Sequence, residues 1–116
     1  MTDARTYLLV ALLTREQAAY LAAWAALEGG ASLLGEDDVP WPTDAGREAQ
    51  AGPLLLAGVA PAKQRKALRD ELLRWHPDKF EARFGGRLLP EQRLRVQARV
   101  NAMSQAVATL FQDFKS

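Results

Sequence analysis

The chain has 116 residues, room for one domain with its own core and too few for two. No cysteine and a single histidine exclude disulfides and thiolate chemistry and argue against zinc or another transition metal, so no metal or cofactor is expected. The net charge of +1 conceals an asymmetry: residues 1–60 carry three Arg against eight Asp or Glu, a net of −5, while residues 61–116 carry twelve Lys or Arg against six acids, a net of +6. Either the C-terminal half meets an acidic partner or the two halves attract each other.

The run Tyr7-Leu8-Leu9-Val10-Ala11-Leu12-Leu13 is too short to span a membrane and is followed by Thr14-Arg15-Glu16-Gln17 without a small-residue cleavage site, so it reads as the start of a buried helix or strand in an intracellular protein, nuclear or cytoplasmic. Thr14 and Gln17 have the spacing of a capping box, and a helix is expected over about 15–28 or from somewhat earlier, ended by Gly29-Gly30. Its Tyr20, Trp24 and Leu27 edge should pack on the domain. Residues 29–60 read as loop, rich in Gly, Pro and acids. Within it Trp41 is held stiffly between Pro40 and Pro42, and is expected to dock back onto the protein's own helices. Leu54-Leu55-Leu56-Ala57 should form a short buried helix.

Pro61 suits a first helical turn. The helix that follows it to residue 76 places Leu68, Leu72 and Trp75 on one face and Lys63, Lys66 and Arg74 on the other, with Asp70 four residues from both Lys66 and Arg74. Leu73 lies off the apolar stripe, where it could touch the N-terminal helix. Pro77 stops the helix at His76. Asp78 then has the character of an N-cap, with a short helix over 79–84 and Gly85-Gly86 as its end.

From Pro90 onward, Val96, Val100, Met103, Val107, Leu110 and Phe114 recur at alternating spacings of four and three, the pattern of a long amphipathic helix over 91–114. This helix and the 62–76 helix should pack as an antiparallel hairpin with His76-Pro77-Asp78 in the loop at one tip. The expected fold is all-α. It comprises an N-terminal packing helix and acidic Gly-rich loop over 1–38 and a helical domain over 39–116, joined in one packing unit.

No nucleophile with a base, paired catalytic carboxylates or phosphate cradle is visible, so no catalytic residue is assigned and an enzyme is not expected. A helical hairpin with His76-Pro77-Asp78 in its connection, a basic first helix, and Asn101-Ala102-Met103 to Leu110 in the second resembles a J-domain of the DnaJ cochaperone family over about residues 53–112. Within that family the strings RWHPDKFEARFGGRL, RVNAMSQAVATL and DVPWP are most similar to the C-terminal region of NF-kappa-B inhibitor-like proteins, over residues 39–116. The segment from Gly58-Val59 to His76 is shorter than the usual J-domain pattern. Leu54–Leu56 replace its tyrosine-rich first helix, and FEARFGGRLLP lengthens the connection; these departures fit the inhibitor-like subgroup.

A monomer is expected, and the resemblance implies binding to the seventy-kilodalton heat-shock chaperone and stimulation of its ATPase. The contact would be the loop (His76, Pro77, Asp78, Lys79) and the basic helix (Lys63, Lys66, Arg69, Arg74). Asp78 can accept charge-assisted hydrogen bonds, Pro77 lowers the entropy lost on fixing the loop, and the cations steer an acidic partner. The alternative is a diverged scaffold making RNA, ribonucleoprotein or other protein contacts, since residues 61–99 hold eleven Lys or Arg against five acids. The pI of about 8.1 is below that of a committed nucleic-acid binder.

Overall fold

Helix α1 runs over Ala4–Glu28, well before the expected start, in a computed structural model that describes residues 4–115. Its sequence carries no Gly or Pro and is rich in Ala and Leu, strong helix formers that let it continue through Thr14. The Thr14 hydroxyl does not cap; it donates back to Val10 O at 2.8 Å, the mid-helix option for this side chain. Gly29 and Gly30 end the helix, their N–H groups bonding to Ala25 O and Leu27 O.

The expectation of burial fails for the first turns of α1. Tyr7, Leu8, Leu9, Val10 and Leu12 are exposed, Tyr7 at 69%. The anchorage lies further along the helix: Gln17 Nε2 donates to Leu55 O at 3.3 Å and Thr14 lies against Gly58. The protein is elongated, 52 Å along its longest axis against 28 and 25 Å across. No helix among the described residues is long and apolar enough to cross a membrane.

The segment after α1 is irregular, as expected, and closely pinned. Leu34 pairs with the segment around Leu88 as an isolated parallel bridge, Leu34 N donating to Arg87 O at 2.6 Å and Leu89 N to Leu34 O at 2.9 Å. A 3₁₀ turn at Glu36–Asp38 follows, held by Asp38 Oδ2 accepting from Gly35 N at 2.8 Å and Gln92 Oε1 accepting from Glu36 N at 2.6 Å. Trp41 docks as its proline flanks suggested. Its ring stacks on Trp75 at 5.2 Å and 16°, Arg99 lies 4.2 Å over it, and its Nε1 donates to Glu36 O at 2.7 Å.

A second 3₁₀ turn, Glu48–Gln50, leads into the short helix α2, Gly52–Leu55, which buries Leu55. Gly58 then takes φ +71, the left-handed region that favours glycine, and turns the chain away from α1.

Helix α3, Pro61–Trp75, and helix α5, Arg93–Lys115, form the antiparallel pair. Arg65 near the start of α3 lies 5.8 Å over Phe111 near the end of α5, while Pro77 beyond α3 shares a cleft with Val100. Val96, Val100, Met103 and Val107 are buried, whereas Phe114 at the far end is exposed. Helix α4, Pro77–Phe84, follows α3 in the chain, touches both members of the pair and contributes Phe80 and Phe84 to the core. Trp24 of α1 closes the cluster, 5.1 Å from Trp75, 6.5 Å from Phe80 and 5.8 Å from Phe84.

Part of the divided charge is consumed within the molecule. Arg83 pairs with Glu28, Arg95 and Arg99 with Glu36 at 3.0 and 3.3 Å, and Arg99 lies 3.9 Å from Glu48. Arg87 donates to Leu27 O at 2.8 Å and Ser32 O at 3.0 Å, satisfying carbonyls at the end of α1. Of the two readings of the asymmetry, attraction between the halves accounts for these pairs.

Trp41→Ala should cost about 2–3 kcal/mol, below the ~3–5 of a fully buried aromatic because Trp41 is half-buried. A chemical-denaturation midpoint that does not move would show that the stack on Trp75 contributes nothing.

Candidate functional site at the helix corner

His76, Pro77 and Asp78 do not form an open loop. Helix α3 ends at Trp75 and α4 begins at Pro77, leaving His76 as the sole connecting residue. Proline tolerates this position because a first-turn N–H has no intrahelical partner to lose. His76 takes φ −59 and ψ 123, the extended geometry that a following proline imposes.

The imidazole then does what was expected of Asp78. His76 Nδ1 accepts from Asp78 N at 3.2 Å, and Phe80 N donates to His76 O at 2.9 Å, so His76 is the N-cap. The helix expected over 79–84 accordingly starts two residues earlier. With Nδ1 an acceptor, the proton of a neutral ring sits on Nε2.

Around this corner His76, Asp78 and Lys79 are exposed and Pro77 is half-buried. The Asp78 carboxylate makes no hydrogen bond or ion pair among the described residues, and it stands at the rim of a cleft of about 250 Å³ whose walls include Phe80, Gln97, Val100 and Asn101. An exposed, unpaired carboxylate beside two carboxamides can accept from an arginine or lysine side chain.

Lys63, Lys66 and Arg69 are exposed on the outward side of α3. Lys66, Arg69, Leu73 and His76 follow one another at spacings of three, four and three, so this stripe leads to the corner. Leu73 is 51% exposed on it rather than packed on α1. Lys66 pairs with Asp70 at 2.9 Å with both side chains in solvent, a contact worth little.

Arg74 does not belong to that face. Its side chain is only 18% exposed and its guanidinium bonds Glu71 Oε1 at 2.5 Å, not Asp70 as the four-residue spacing suggested. It lies 5.6 Å over the Tyr20 ring and 5.3 Å over Trp24. Tyr20 OH donates to Glu71 Oε2 at 2.8 Å, and Trp75 Nε1 donates to Tyr20 OH at 3.3 Å. The network is satisfied and sits one residue before His76, so it locks the last turn of α3 onto α1.

Glu71 is the polar residue that the sequence reading missed. Its three- and four-residue spacing from Leu68 and Trp75 places it on the core face, and that was the available signal. Burial raises its pKa above the ordinary 4.5, with Arg74 opposing the rise. Burial, with the Glu71 charge adding to it, likewise holds the Tyr20 hydroxyl protonated far above the usual tyrosine range.

The family model of the NF-kappa-B inhibitor-like protein 1 C-terminal domain matches residues 53–115. That span contains α3, α4, α5 and the corner, and excludes α1 and the Trp41 segment. No solved structure matches the chain.

Replacing Lys63, Lys66 and Arg69 together by Glu should leave the melting midpoint nearly unchanged, since all three are exposed. Arg74→Glu should cost about 3–5 kcal/mol by setting two carboxylates together in the core. If circular dichroism finds the triple variant unfolded and Arg74→Glu intact, the two faces of α3 have been exchanged.

The raised pKa of Glu71 also has a sign. The folded state holds this proton more tightly than the unfolded chain, so the Glu71 contribution to stability is complete below about 4.5 and is lost as the pH rises through the raised value. Glu71→Gln should flatten that part of the stability–pH curve, and an unaltered slope would assign it to other groups.

Proposed function

The chain belongs to the NF-kappa-B inhibitor-like protein 1 C-terminal domain family, and from that membership and the resemblance of its hairpin to J-domains we propose that it is a J-domain-like cochaperone module. In this reading it binds the seventy-kilodalton heat-shock chaperone through the His76-Pro77-Asp78 corner, Lys79 and the Lys63, Lys66 and Arg69 stripe, and stimulates ATP hydrolysis by that partner. The observation that carries the reading is the Asp78 carboxylate. It is exposed, unpaired among the described residues and held at a rigid corner where the cationic stripe ends. Asp78 would take a charge-assisted hydrogen bond from a partner arginine, His76 would offer Nε2–H, and the stripe would steer an acidic groove toward both. Arg74 acts from within, by holding the last turn of α3.

The corner differs from the open loop of the expected J-domain. Helix α4 follows His76 at once, so less of the tripeptide is free to adjust on binding. That cuts the ordering cost of association and also narrows the partner geometries that fit.

The alternative of an RNA or ribonucleoprotein contact has weaker support. Of the eleven cations between residues 61 and 99, Lys66, Arg74, Arg83, Arg93, Arg95 and Arg99 are ion-paired. Arg87 is engaged by carbonyls. Few charges remain to neutralise phosphates.

Asp78→Asn is the clean test, because the carboxylate carries no bond among the described residues and the variant should melt within about 0.5 kcal/mol of the parent. His76→Gln is less clean, since it also disturbs the cap and should cost about 1 kcal/mol. In single-turnover ATP hydrolysis by a heat-shock chaperone, the parent chain should accelerate the reaction and Asp78→Asn should not. A parent chain that neither binds the chaperone nor accelerates hydrolysis overturns the proposal.

A further inference from the structure

The acids of the N-terminal half are not all consumed by the arginines of the C-terminal half, and those left over are gathered in one place. Residues 4–60 contain seven carboxylates: Glu16, Glu28, Glu36, Asp37, Asp38, Asp44 and Glu48. Glu28, Glu36 and Glu48 face arginines, and Asp38 accepts from the Gly35 N–H. The remaining three, Glu16, Asp37 and Asp44, are exposed and have no ion pair or side-chain hydrogen bond among the described residues. All three line one open trough of about 840 Å³ between α1 and the Trp41 segment.

The rest of the trough is mixed in character and stiff, with apolar side chains beside Tyr20, Thr43 and Arg99. Val39, Pro40, Trp41, Pro42 and Leu54 contribute to its walls. The two prolines fix the backbone on both sides of the indole, and Trp41 is clamped between Trp75 and Arg99. Arg99, the cation in the lining, is neutralised by Glu36 and Glu48 and by its bond to Thr43 O at 2.7 Å. The Thr43 hydroxyl in the same wall is buried without a hydrogen-bond partner among the described residues. Three free carboxylates over a preformed, partly apolar surface repel phosphate and match a side chain with an apolar stem and a cationic head.

We propose that this trough is a docking site for a lysine- or arginine-bearing extended segment of another protein, the methylene stems lying along the half-buried Pro40, Leu54 and the free edge of Trp41 and the charged heads meeting Glu16, Asp37 and Asp44. It shares no residue with the α3–α4 corner, so the module presents two faces of opposite sign, one cationic toward an acidic partner and one acidic toward a basic segment. The preformed wall favours a segment that is itself extended, because little of the site has to be ordered on binding. The acids govern capture at low salt, and the apolar contact sustains what survives screening.

The test uses the whole chain and a short fluorescein-tagged peptide of alternating alanine and lysine, with an alanine–glutamate peptide as its counterpart, followed by anisotropy across a salt series. The lysine peptide should bind and the glutamate peptide should not. The Glu16→Gln, Asp37→Asn and Asp44→Asn triple variant should weaken binding about tenfold while keeping the parent melting midpoint. Glu91→Gln, an exposed acid elsewhere, should leave it unchanged.

Equal affinity for both peptides, or a triple variant that binds like the parent, overturns the proposal. So does sedimentation showing parent-chain self-association that the triple variant abolishes, because the occupant would then be a second copy. Since neither peptide involves the chaperone, failure here leaves the corner reading standing, and failure of ATPase stimulation leaves this one standing.

Discussion

Trp75 is the residue on which the rest of the structure depends. One face of its indole stacks on Trp41 at 5.2 Å, its ring meets Trp24 at 5.1 Å, and it runs nearly parallel to Phe80 at 9°. Its Nε1 joins the Tyr20–Glu71 network. A single side chain thus touches α1, the Trp41 segment and α4 while forming the last turn of α3. Since His76 is the next residue, the orientation of the corner is set by how Trp75 packs. Aromatic groups suit such a junction because they bury a large area and keep a polar edge that can be satisfied.

The second constraint is electrostatic, and it explains why a chain with net charge +1 carries two oppositely charged halves. Arg83 of α4 and Arg95 and Arg99 of α5 are attached to Glu28, Glu36 and Glu48, and two carbonyls at and beyond the end of α1 are held by Arg87. Exposed pairs of this kind contribute little singly. Here they act on a segment that lacks regular hydrogen bonding of its own, so their effect is to choose one path for the loop. The unpaired acids of residues 4–60 fall in the trough beside Trp41, apart from the exposed cations Lys63, Lys66 and Arg69 on the outward face of α3.

Buried Glu71 links these two themes. A carboxylate in an aromatic core is costly unless it is bonded, and this one has Arg74 on one oxygen and Tyr20 on the other. Arg74 in turn lies over Tyr20 and Trp24. The polar network therefore fixes the register of α1 against α3, and packs the helix that lies outside the matched family span onto the helices within it.

Much was determined by the sequence alone: the helical periodicity of α3 and α5, the breaks at Gly29-Gly30, Pro61 and Pro77, the stiffness of Trp41, and the cationic character of Lys63, Lys66 and Arg69. These are local properties, set by dihedral restrictions and by side-chain spacing on one element. The direction of Arg74 was not legible, because spacing on a helix allows it both Asp70 and Glu71, and only the arrival of Tyr20 and Trp24 from α1 decides between them. The exposure of Tyr7–Leu12 was likewise hidden, since an apolar run states a preference for burial without saying whether any surface lies within reach. Nor could spacing reveal that His76, not Asp78, caps α4, or that Glu16, Asp37 and Asp44 meet in one trough. Both depend on where separate segments come to rest once Trp75 has gathered them, and distances of that kind exist only in the tertiary structure.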